Sequence, residues 1–144
     1  MSSLTAAYLD NPLHLASQCS VDFQPLPSIV GQHSQNNGGN AMGLTGNDGD
    51  RLILEIQCAW TLKEDDEVMR NISRELTAWL TPLIPSWLES DGMSGETYLP
   101  LFMNDAMGDQ NVTGSYREYA KFKTLQLEAD PEGVLRTRTG GFKY

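Results

Sequence analysis

The sequence predicts an α+β fold, an antiparallel sheet with helices packed on one face, and three observations predict it. Residues 51–60 alternate with the period of a strand. Residues 65–81 carry an apolar stripe with the period of a helix. The elements run strand, loop, strand, helix, strand-like segment, helix, tail, an order that suits an antiparallel layer better than a doubly wound sheet.

Residues 1–19 carry no clear period and include the breaker Asn11-Pro12, so they read as a loose N-terminal arm ahead of a domain spanning 20–144. In Cys19 to Pro25, Val21 and Phe23 alternate with polar neighbours as a half-buried strand would, and Pro25 and Pro27 end it because proline cannot donate to a ladder. Residues 31–50 are rich in Gly, Asn, Ser and Asp, which is loop chemistry. Arg51 to Trp60 is the best strand in the chain. It places Leu52, Leu54, Ile56, Cys58 and Trp60 on one face, with Arg51, Glu55 and Gln57 on the other and Ile53 as the exception.

Thr61 to Asp66 supplies capping residues and the early acidic charge that suits a helix N-terminus. Val68, Ile72, Leu76, Trp79 and Leu83 then follow at helical spacing as one apolar stripe, with Trp79 expected in the core. Pro82 and Pro85 end or kink that helix. Gly92 and Gly95 mark a loop, and Tyr98 to Met103 is a second apolar, extended stretch. Tyr116 to Glu128 is a second helix, with Tyr119, Phe122 and Leu127 facing the core. Asp130-Pro131-Glu132-Gly133 is a turn signal, since proline presets the turn dihedral and glycine accepts positive φ.

With 144 residues, 40% of them hydrophobic and 20% charged, the chain has the composition of an ordinary globular domain. A net charge of −9 argues against a nucleic-acid partner, because phosphate binding needs a basic surface. No apolar run approaches the ~20 residues that span a bilayer, so no membrane role is expected. Met1 to Asp10 lacks the basic and apolar regions of a signal peptide, and a cytoplasmic location follows. Cys19 and Cys58 are too few for a disulfide framework, and each is expected as a buried free thiol. Two glycosylation sequons, Asn71-Ile72-Ser73 and Asn111-Val112-Thr113, carry little weight without a secretion signal, and the first lies inside a predicted helix.

The common catalytic constellations are missing from the sequence. His14 and His33 are the only histidines, and neither has a second ligand at metal spacing, so no metal is expected. Gly38, Gly39 and Gly43 do not form a phosphate loop, since no Lys-Ser/Thr follows, and the strand comes after them rather than before. There is no nucleophile elbow. The run Glu64-Asp65-Asp66-Glu67 is expected to cap a helix in water rather than act as an acid/base pair. No catalytic residue is identified.

Three blocks in order carry a resemblance. The first is Phe23-Gln24-Pro25-Leu26-Pro27 followed by 37–44, Asn-Gly-Gly-Asn-Ala-Met-Gly-Leu. The second is 98–106, Tyr-Leu-Pro-Leu-Phe-Met-Asn-Asp-Ala, with Asp109-Gln110 and then Ser115-Tyr116. The third is 129–135, Ala-Asp-Pro-Glu-Gly-Val-Leu, closing in Gly140-Gly141-Phe142-Lys143-Tyr144. Over residues 20–144 the chain resembles the C-terminal part of berberine-bridge-enzyme-like FAD-linked oxidoreductases of fungi, in the vanillyl-alcohol-oxidase superfamily.

The resemblance implies the substrate-side and C-terminal part of that flavoprotein fold without its FAD-binding half. Phe102-Met103-Asn104 matches the family's aromatic-x-Asn element beside the flavin, where Asn104 would offer its amide to the ring or to a neighbouring strand. Phe102 stands where many relatives carry a tyrosine base, and a phenyl ring has no proton to exchange. FAD is the family's cofactor, and stable FAD binding by this chain alone is not expected. The implied role is a truncated oxidoreductase of fungal secondary metabolism acting on a small-molecule substrate. The alternative is a cofactor-free binding protein or subunit, either a homo-oligomer or the partner of a separate flavin domain.

Overall fold

The structure, a computed structural model, describes residues 17–90, 92 and 98–144. Most of the expected N-terminal arm, with His14, lies outside the described residues, as does Gly95. The described elements are β1 (Gln18–Leu26), α1 (Ser28–Asn36), β2 (Arg51–Ala59), α2 (Asp66–Leu80), α3 (Leu83–Ser90), α4 (Tyr119–Ala129) and α5 (Val134–Arg138), with short 3-10 turns between several of them. The fold is α+β, and β1 and β2 form a two-stranded antiparallel sheet.

The two cysteines sit opposite one another on that sheet. Their Cα atoms are 4.1 Å apart and their sulfurs are joined in a disulfide. The expectation of free thiols is therefore corrected. Strand register decides which residues face one another, and neither strand shows its register by itself. Val21 and Phe23, expected to be half-buried, are exposed, Phe23 by 61%. The even-numbered face of β2 is not buried along its length either, since Leu52 is 65% exposed.

The chain divides into two compact units. The first comprises Met1–Gln24 and Leu54–Thr97. Its buried centre is Met69 and Ile72 of α2, packed with Cys58, Trp60 and Val68. A 3-10 turn at Lys63–Asp65 leads into α2, and the Trp60 indole N–H donates to the Asp66 carboxylate at 2.7 Å. Asp65, expected to be a solvated capping residue, is buried and makes no side-chain cap to the helix. The predicted strand and helix thus meet as expected, but through a stripe rotated by one residue from the predicted one. Met69 is 2% exposed, whereas Leu76 is exposed and Trp79 is 65% exposed. The physical reason is length. Leu76 and Trp79 lie one and two turns beyond Ile72, the last buried apolar residue of the helix.

Helix α2 stops at Leu80, and Pro82 marks the break as expected. A new helix, α3, then starts at Leu83. Pro85 is accommodated in its first turn, where the missing N–H would have had no helical partner.

The second unit comprises Pro25–Ile53 and Tyr98–Tyr144. Residues 31–50, expected as loop, begin inside α1. Its N-terminus is held from a distance, because the Asp50 carboxylate accepts from both the amide and the hydroxyl of Ser28 at 2.8 Å. Gly31 is buried, and a Cβ there would lie 2.6 Å from the Thr45 carbonyl oxygen. The helix is fixed by these long-range contacts and not by an apolar stripe, so periodicity could not show it.

Residues 98–103 form no strand. The backbone is extended at Phe102 and enters a 3-10 turn at Met103–Asp105. The second helix begins at Tyr119, three residues later than predicted, after a 3-10 turn at Thr113–Ser115. Leu127, predicted for the core, is exposed, while Tyr119 and Phe122 pack on Tyr144 with ring centroids 6.2 and 5.5 Å away. The turn at 130–133 forms and starts the unpredicted α5. Gly133 takes φ +67°, and the Asp130 carboxylate accepts from the amides of Val134 and Arg136 at 2.7 and 3.0 Å.

Candidate functional site

Apart from Phe23-Gln24, the segments singled out by the resemblance fall in the second unit. Thr45 opens the 3-10 turn Gly46–Asp48 with a reciprocal cap, and this places the Asp48 carboxylate inward, accepting from the Thr45 amide at 2.7 Å and its hydroxyl at 3.0 Å. Arg117 grips the same carboxylate with both terminal nitrogens, at 2.6 and 2.8 Å, and donates to the Gly43 carbonyl at 3.2 Å. Arg51 approaches it from β2 at 3.5 Å. Gly43, at φ +69°, allows this approach, since a Cβ there would meet the Arg117 Cβ at 3.0 Å.

Tyr98 closes the knot. Its hydroxyl donates to the Met42 carbonyl at 2.6 Å and accepts from the Arg117 amide at 3.0 Å. The Arg117 guanidinium stacks 4.0 Å from the ring centroid, and Arg51 lies 5.9 Å from it while donating to the Tyr98 carbonyl.

The electrostatics follow this geometry. Hydrogen bonds from Arg117 hold the Asp48 carboxyl well below the usual carboxylate range. Burial works against that shift, and Thr45 and the Arg117 charge add to it. The same hydrogen bond raises Arg117. Burial raises the Tyr98 phenol. Burial, with the neighbouring Tyr144 and Tyr98, raises Tyr116 against a backbone hydrogen bond from Met103. Both phenols stay protonated at neutral pH, so neither is poised as a base.

The second and third blocks join around Val112 and Tyr116, both buried. The Leu101 amide donates to Ser115 Oγ at 3.0 Å, and that hydroxyl donates to the Val112 carbonyl at 2.6 Å. Thr113 donates to the Lys143 carbonyl at 2.6 Å, and the Tyr144 amide donates to the Gln126 side chain at 2.8 Å. Phe102 is half-buried at the start of the Met103–Asp105 turn. Asn104, on that turn, is exposed. His33 is exposed near the end of α1.

A cavity of about 10 Å³ lies beside this knot, lined in part by Pro27, Gly31, Leu44, Thr45 and Asp48. That is room for about one water, whereas small-molecule sites take ~300 Å³ or more. These residues do not enclose a flavin. The arrangement is a structural knot, with every charged group in it occupied by another part of the unit. Its signal was readable at Thr45 and Asp48, which have capping-box spacing, but nothing local pairs Asp48 with Arg117.

The comparisons with known proteins point to FAD-linked oxidoreductases of fungi. The chain is 34% identical over 124 residues to the FAD-dependent monooxygenase drtC of Aspergillus calidoustus, covering 84% of this chain and 22% of that protein. The relatives it matches are named FAD-dependent monooxygenases or FAD-linked oxidoreductases, and all are fungal. It is 26% identical over 145 residues to an uncharacterized FAD-linked oxidoreductase of Arthroderma benhamiae, covering 99% of this chain and 28% of the relative. An FAD-dependent monooxygenase of Arthrobotrys oligospora is 28% identical over 131 residues, with 88% and 24% covered. The chain thus spans about a quarter of the length of these relatives. No protein-family model matches it, and no solved structure matches it significantly. Among the described residues, no helix is long and apolar enough to cross a membrane.

Proposed function

We propose that the chain is the substrate-side and C-terminal part of a berberine-bridge-enzyme-like FAD-linked oxidoreductase of fungal secondary metabolism, acting on a small-molecule substrate. The observation that carries this reading is that all of the resemblance's blocks but Phe23-Gln24 fall in one hydrogen-bonded unit, held by Asp48, Tyr98 and Arg117. In this reading residues 20–144 work as one functional segment, and the exposed Asn104 offers its amide to the flavin or to a strand beside it. Phe102 packs there and supplies no base. The chain's own share of the work is positioning.

FAD itself would be held by residues beyond this segment, since a cavity of about 10 Å³ cannot enclose it. A few contacts to one side of the ring do not offset the ordering cost of holding a dinucleotide. Exposed apolar residues, among them Phe23, Leu52 and Trp79, favour a covering partner. That partner is a flavin-binding portion of the same kind, and a cofactor-free subunit that docks on it is the second reading.

Titration calorimetry of the isolated chain with FAD, followed by an oxygen-consumption assay, tests this. No binding at micromolar FAD is expected. Mixing with the separately produced flavin-binding portion of a relative should restore flavin absorbance near ~450 nm, a property of the cofactor. Asn104→Ala should weaken that retention. Micromolar binding with peroxide formation by the chain alone would overturn the proposal.

A further inference from the structure

We propose that Asn111 carries an N-linked glycan, and that this domain matures in an oxidising secretory compartment where the Cys19–Cys58 bond closes. Two independent observations point there. The first is the disulfide, which joins the only two cysteines in the sequence. Structural disulfides persist in oxidising compartments and are rare in the cytosol, where thiol reductants keep cysteines reduced. The second is the acceptor sequence Asn111-Val112-Thr113, in a chain whose homologues are fungal and therefore eukaryotic.

The local geometry fits a modified asparagine. Asn111 is exposed and lies just before the Thr113–Ser115 turn, outside any α-helix or strand. Its Oδ1 accepts from the Gly114 amide at 3.2 Å. A glycan attaches through Nδ2 and leaves that acceptor in place. Thr113 is buried in the folded chain, with its hydroxyl committed to the Lys143 carbonyl. The transferase needs that hydroxyl, so modification precedes closure of the unit, as expected for transfer to a chain entering the compartment. The other sequon is a poorer acceptor. Asn71 lies within α2, its side chain receives Arg74 at 3.4 Å, and Ser73 is buried.

Both steps balance with reactants of that compartment. The Asn111 amide nitrogen forms a bond to the anomeric carbon of a lipid-linked oligosaccharide. The carbon–oxygen bond to the lipid pyrophosphate breaks, the pyrophosphate leaves, and the amide gives up one proton. The two thiols lose two electrons and two protons to the disulfide of a thiol–disulfide oxidoreductase, which becomes a dithiol. The proposal requires that the domain be directed into that compartment, and the chain spans only 22–28% of the relatives' length.

The test uses the protein recovered from its native cells through a tag at its own gene. Endoglycosidase treatment should shift it by one glycan. Asn111→Asp, which keeps the oxygen that caps Gly114, should run at the shifted position without treatment. Alkylation before reduction should leave both cysteines unlabelled, and alkylation after reduction should add two adducts. Absence of an endoglycosidase shift would overturn the proposal. So would a shift that survives Asn111→Asp and is lost in Asn71→Gln. Two adducts before reduction would overturn the assignment of compartment.

Discussion

Asp48 is the residue on which the second unit turns, because one carboxylate receives a turn, a strand and the residue following Tyr116. Its folded pKa lies below the ordinary 3.8. The carboxylate therefore contributes stability that is fully present above about pH 4 and is lost as pH falls through the folded value. Asp48→Asn should cost about 1–3 kcal/mol at pH 7, discounted because Arg117 is partly exposed. The gap between wild type and variant should shrink toward pH 2 in urea unfolding, and an unchanged gap would show that the pair does not form. In the first unit, Met69→Ala should cost ~2–5 kcal/mol, as for any buried aliphatic truncation. Trp79→Ala, despite the larger deletion, should cost less than ~1 kcal/mol because the indole is already in water. Reversal of that order in thermal or urea unfolding would place Trp79 in the core.

At the scale of elements, the parts legible in the sequence were those with a local cause. The strand at 51–59 and the helix at 66–80 need only their own side chains to be read, though not which of their faces is buried, and the Asp130-to-Gly133 turn needs only its own proline and glycine. What could not be read has a distant cause. Helix α1 depends on Asp50 capping Ser28 and on Thr45 lying against Gly31, and the cysteine pairing depends on strand register. For the candidate site, the sequence pointed to Asn104 and Phe102, whereas Asp48 and Arg117 were left out because their partnership spans 69 positions. The disulfide has a consequence for the sheet. Two strands alone are marginal in water, and a bond across a separation of 39 residues restricts the unfolded chain. Replacing both cysteines with alanine should lower stability by about 2–4 kcal/mol. A loss below ~0.5 kcal/mol in urea unfolding would mean that the sheet does not depend on the bond.

For the molecule as a whole, the sequence conveyed the fold class and the likeness to fungal FAD-linked oxidoreductases, but not the division into two units. That division is one of connectivity, and no composition shift marks it. The second unit is assembled from 25–53 and 98–144, so residues 54–97 intervene before its halves can meet. Tyr98 reaches Met42 across 56 positions, and Arg117 reaches Gly43 across 74. Each contact must overcome loop-closure entropy before it returns any favourable energy. The first unit's packing of Trp60 on Met69 and Ile72 is nearly local by comparison. The consequence lies in time. Stopped-flow refolding should show an early phase reported by Trp60 and a slower one in which Asp48, Tyr98 and Arg117 find one another, as high contact order requires. Asp48→Asn should leave the early phase unchanged, because the contacts it removes form only after the first unit has closed.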